Sequence, residues 1–91
     1  MKWLEIISLR VERDQEKITR EIARLLSEVA GPRDLVKIRV YSHGLIENDL
    51  AIHLFWETKT LSVRESFLGQ ELRYGLKEFG LTHHSLWKEE E

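Results

Sequence analysis

Two stretches with apolar side chains on both faces of an extended chain constrain this protein more than any other feature. Residues 50–57, LAIHLFWE, alternate Leu50, Ile52, Leu54 and Trp56 on one face with Ala51, His53 and Phe55 on the other. Residues 2–11, KWLEIISLRV, set Leu4 and Ile6 on one side and Trp3, Ile7 and Leu9 on the other. Strands that are apolar on both faces are covered on both faces. A chain of 91 residues makes one small domain with a thin margin of buried surface. It has no spare element to cover the second face of a sheet.

The remaining elements follow from periodicity. Asp14 is a good N-cap, and Ile18, Ile22, Leu25, Leu26 and Val29 then recur at helical spacing, with Gly31-Pro32 as the stop. Residues 35–42, LVKIRVYS, alternate Val36, Ile38 and Val40 against Lys37, Arg39 and Tyr41. Ser62-Val63-Arg64-Glu65 has the spacing of a capping box, and it predicts a helix of about 17 residues with Leu68, Leu72, Gly75, Leu76 and Phe79 on one face. Gly75 in that stripe points to a close approach of helix to sheet. Gly80 caps the helix, residues 81–87 form the last strand, and 86–91 read as an acidic tail that frays or extends it.

The order β-α-β-β-α-β, with right-handed crossovers, predicts an α+β ferredoxin-like sandwich. Its antiparallel sheet has the order 4-1-3-2 and both helices on one face. The whole chain, 1–91, is one domain. The first and third strands are then central. The parity of strand 1 toward the helices stays open, because both of its faces are apolar. The simplest cover for the open face is a second copy, sheet against sheet, in a two-fold dimer.

The hairpin between strands 2 and 3 has a register that can be argued. A three-residue loop at 47–49 sets Val40 opposite Trp56, Ser42 opposite Leu54 and Gly44 opposite Ile52, so the two apolar rows coincide. Asn48 or Asp49 takes the left-handed position of the turn. On the other face the same register pairs Arg39 with Glu57, Tyr41 with Phe55, and His43 with His53.

Composition narrows the chemistry. The net charge of −2 and the absence of a clustered basic patch argue against nucleic-acid binding. RNA-recognition motifs share this order of elements, but their basic-Gly-aromatic signature is missing from DLAIHLFWE. There is no cysteine, hence no disulfide and no thiolate metal site. The start, MKWLEIISLRVERD, lacks the pattern of a signal peptide, and no apolar run reaches the length of a membrane span, so a cytoplasmic location is expected. His43 and His53 could begin a Zn or Cu site, with Glu5 or a residue of a dimer partner as the third ligand, but no recognised ligand spacing is present, so neither a metal nor a cofactor is expected. On a strand, only one of His83 and His84 can join the open face. The candidate ligand-binding set is Arg39, Tyr41, His43, His53 and Phe55, with His53 the best candidate for a catalytic base. Trp3, Trp56 and Trp87 read as core or interface residues.

In element order and face polarity over 2–88, the chain resembles the dimeric α+β barrel proteins, which include cofactor-free monooxygenases and isomerases. It is also similar to ligand-sensing ferredoxin-like modules such as ACT domains. The resemblance implies a homodimer with a small-molecule site between the sheets or at the dimer boundary. Three functions fit it: a small-molecule-binding or regulatory module, a cofactor-free enzyme using a sheltered histidine, and an assembly protein without a ligand.

Overall fold

The structure is a computed structural model that describes residues 1–12, 14–28, 31–60 and 64–90. Its elements run β1 (Lys2–Val11), α1 (Gln15–Ser27), β2 (Leu35–Ser42), β3 (Asp49–Glu57), α2 (Phe67–Leu76), a 3₁₀ turn (Lys77–Phe79) and β4 (Gly80–Lys88). The four strands form one antiparallel sheet in the order β2-β3-β1-β4, which read from the β4 edge is 4-1-3-2. Both helices contribute to a single core, through Ile18 and Ile22 of α1 and through Leu68, Leu72 and Leu76 of α2. This is the ferredoxin-like α+β fold.

The parity of β1 is now decided. Trp3, Glu5, Ile7, Leu9 and Val11 are buried toward the helices, while Leu4, Ile6, Ser8 and Arg10 lie on the open face. On β3 the row Leu50, Ile52, Leu54 and Trp56 joins the core, and Ala51, His53 and Phe55 are half-buried on the open face. Trp3 and Trp56 are cross-strand partners whose rings stack with centroids 5.3 Å apart. Burial of both rings is possible because each indole N–H has an acceptor: Thr58 Oγ1 at 2.8 Å for Trp3 and Glu5 Oε1 at 3.1 Å for Trp56.

The hairpin register differs from the expected one. Val40 faces Ile52 rather than Trp56, and Ser42 faces Leu50 rather than Leu54. Consequently Arg39 lies opposite His53, Tyr41 opposite Ala51, and His43 is not the cross-strand partner of His53. A slide by an even number of residues keeps each apolar row facing its partner, so the burial pattern tolerates both registers. The longer loop, 43–48, decides between them. His43 Nδ1 accepts from the N–H groups of Leu45 and Ile46 at 3.0 and 2.9 Å, and Asn48 takes the left-handed conformation at φ 68°. At the other end of β2 the ladder shifts between Leu35 and Lys37, so Leu35 packs on the core and Val36 is exposed.

The helix ends also differ from expectation. Asp14 occupies the N-cap position of α1 but is left-handed (φ 59°) and its side chain makes no capping bond; its carbonyl accepts from Ile18 N. Ser66, not Ser62, caps α2, accepting from Gly69 N at 2.9 Å, and α2 is correspondingly shorter than 17 residues. Ser62 and Val63 of the expected capping box, and Val29 of the α1 stripe, lie outside the described residues. Gly75 is not a point of close approach, since a Cβ there would meet nothing within 4 Å. That role belongs to Gly69, where a Cβ would come within 2.5 Å of Glu5 Oε2. The polar face of α1 carries the ion pairs Arg20–Glu16, Arg24–Glu21 and Arg24–Glu28. No helix among the described residues is long and apolar enough to cross a membrane.

Candidate functional site

The register arranges the open face as rows that run across the sheet. One row is Tyr41, Ala51, Ser8, His83; the next is Arg39, His53, Ile6, Ser85; the third is Lys37, Phe55, Leu4, Trp87. Asp49, Arg10 and Leu81 close one end, and Glu57 and Lys2 the other. In the first row the two central strands carry their smallest residues, Ala51 and Ser8. The larger side chains around them leave a hollow of about 550 Å³, bordered by Tyr41, His43, His53, His83 and the Arg10–Asp49 pair.

Within this hollow the Tyr41 and His53 rings lie 4.5 Å apart between centroids, tilted by 59°. His53 also contacts the Phe55 ring, with centroids 6.1 Å apart. Burial pushes the His53 imidazole below its ordinary pKa of 6.5, because a partly desolvated imidazolium is disfavoured. His53 is therefore held as the neutral base at neutral pH. Arg10 donates to both carboxylate oxygens of Asp49, at 2.9 and 3.1 Å, and this holds the Asp49 carboxyl below the usual range. The pair makes a polar end wall.

Of the five residues expected in a ligand site, Tyr41, His43 and His53 border one hollow. Phe55 lines a second concavity of about 500 Å³ with Leu4, Val36 and Trp87, where Lys37 Nζ sits 4.6 Å over its ring. Arg39 is exposed and donates to its neighbour's carbonyl, Ile38 O. His83 is on the open face and His84 on the helix face, as alternation requires. Among the described residues no group of three metal-ligating side chains is placed to hold an ion.

Sequence reasoning missed the function of Glu5. It is fully buried, at 0% exposure, between the sheet and the start of α2. Its carboxylate accepts from Trp56 Nε1 (3.1 Å), Ser66 N (2.9 Å) and Ser66 Oγ (2.6 Å), and His84 Nε2 lies 2.7 Å away. The Ser66 hydroxyl donates to Glu5, because a carboxylate oxygen can only accept, while its own oxygen receives Gly69 N–H. A buried carboxylate is tolerable only with such a set of donors. Among the described residues no buried side-chain nitrogen or oxygen is left without a partner. The network anchors α2 to β1 and β4. The available signal was a lone acid amid the alternating apolar residues of β1.

No family model and no curated protein matches the chain. Solved structures of similar fold include SnoaB, a cofactor-independent oxygenase from Streptomyces nogalater, seen as a single-residue variant. The TM-score is 0.74 at 12% identity, with 99% of this chain and 94% of that chain covered. A candidate antibiotic biosynthesis monooxygenase from Bordetella bronchiseptica is similar with a TM-score of 0.53 at 20% identity, covering 92% of this chain and 94% of that one. At these identities the likeness is one of fold.

Proposed function

We propose that this chain is a homodimeric small-molecule-binding protein of the dimeric α+β barrel type, with its site in the hollow floored by Ser8 and Ala51. The observation that carries the reading is the hollow itself. Its floor is small, one wall is the Tyr41–His53 ring pair, and its end is the Arg10–Asp49 pair. Such a site suits a ligand with a flat apolar body and one polar group. The half-buried Leu4, Ile6 and Phe55, with Trp87 at 58% exposure, supply the apolar surface that a second copy covers.

The enzyme reading is favoured by the state of His53. A neutral imidazole beside a ligand can act as a general base, taking a proton from a weakly acidic O–H or C–H and leaving the ligand as an anion. The oxygenase activity of the similarly folded SnoaB, which needs no cofactor, is in keeping with that chemistry.

Sedimentation velocity at micromolar concentration tests the dimer, and thermal melts with and without 1-naphthol as a phenolic probe test the site. The expected result is a dimer whose melting temperature rises with the probe, because a ligand of the native state stabilises it. Tyr41→Ala should weaken probe binding by about tenfold, the worth of one aromatic contact. A monomer at this concentration removes the dimer. A dimer indifferent to the probe leaves the assembly function.

A further inference from the structure

We infer that the two copies meet about a two-fold axis running along the strands, with β1 of each over β3 of the other, so that the two hollows join into one chamber shared by both. This rests on the homodimer proposed above and specifies its geometry. With the axis centred on the sheet, between its middle strands β3 and β1, two aligned sheets packed face to face have two arrangements. An axis along the strands sets β1 over β3 of the second copy and keeps each row at its own level. An axis across the strands sets β1 over β1 and exchanges the two ends of the sheet.

Charge separates the two. On the open face β1 is basic at both ends, with Lys2 and Arg10, and β3 is acidic at both ends, with Glu57 opposite Lys2 and Asp49 opposite Arg10. In the first arrangement Lys2 lies over Glu57 of the second copy, and Arg10 over its Asp49. Each end of the interface then becomes an alternating quartet of charges. In the second arrangement Lys2 lies over Arg10 and Glu57 over Asp49, so like charges meet at both ends. Juxtaposed like charges are strongly selected against at interfaces. The first arrangement also brings the exposed Trp87 over Lys37 of the second copy, a cation–π contact.

The same operation decides the fate of the hollow. Ser8 lies over Ala51 of the second copy and His83 over its Tyr41, so hollow meets hollow. The site is open to solvent in one chain and is closed by the other. The opposite arrangement lays Phe55 over Ala51 and Leu4 over Ser8, which fills the hollow and leaves no chamber.

Two variants separate the arrangements, read as the dimer dissociation constant by sedimentation: Lys2→Glu shifts it with opposite signs, and Ala51→Phe is accommodated in the first and excluded in the second. Lys2→Glu should weaken the dimer by about tenfold, since two symmetric attractions of modest size become repulsions. The swap Lys2→Glu with Glu57→Lys should restore it. Ala51→Phe should leave the dimer within about threefold of the native protein, because the joined hollows have room for the rings. A tighter or unchanged dimer for Lys2→Glu, or loss of the dimer in Ala51→Phe, overturns the arrangement while leaving the homodimer standing. A native protein that is monomeric throughout instead removes the reading beneath it. Both charged positions are exposed, so the swap variant separates loss of the interface from loss of the fold.

Discussion

At the scale of the residue, the two faces of the sheet treat polar groups in opposite ways. Glu5 is buried among donors that satisfy it completely, and it serves to seat α2. His53 is half-buried beside rings, and desolvation rather than a charged partner shifts it. The pH dependence follows with a definite sign. The folded-state pKa of His53 lies below 6.5, so between those values the unfolded chain binds the proton more readily. The stability His53 contributes is therefore present above about pH 6.5 and lost as pH falls through the folded value. Urea midpoints measured from about pH 7.5 down to about pH 5 should fall less steeply for His53→Gln than for the native protein. Parallel curves for the two proteins refute the shift.

At the scale of the element, propensity and packing separate at two glycines of one helix. Gly75 has open space around its Cβ position, so Gly75→Ala should stabilise the protein by about 1 kcal/mol through helix propensity. Gly69 faces the Glu5 carboxylate, so Gly69→Ala should destabilise it by roughly 1–3 kcal/mol through overpacking against a buried charge that cannot move without losing its donors. Urea denaturation of the two variants checks the contrast; a shift of the same sign in both defeats it. The expectation of close approach at Gly75 rested on its place in the apolar stripe. It failed because Gly69, earlier in the helix, is the glycine that meets the sheet's buried carboxylate, a neighbour supplied by β1. The boundaries of α2 moved for a related reason: Ser66 is held from the side by Glu5, which makes it the cap.

At the scale of the whole molecule, the three tryptophans report different things. Trp3 and Trp56 are 5% and 6% exposed, whereas Trp87 is 58% exposed on the open face. Dilution through the dissociation of a dimer should raise acrylamide quenching of the native protein but not of Trp87→Phe. Quenching that does not change with concentration, in a protein that sedimentation shows to dissociate, places Trp87 outside the interface. The element order, the sheet order, the buried row of β3 and a left-handed residue at Asn48 or Asp49 were legible in the chain, because each depends on local periodicity or on one residue's backbone preference. The hairpin register, the parity of β1, the Glu5 network and the hollow were decided only in three dimensions. A slide by an even number of residues leaves every periodicity intact, so alternation cannot choose between registers. Ser8 and Ala51 are ordinary small residues forty-three positions apart, and they form a floor only because long-range pairing sets them side by side.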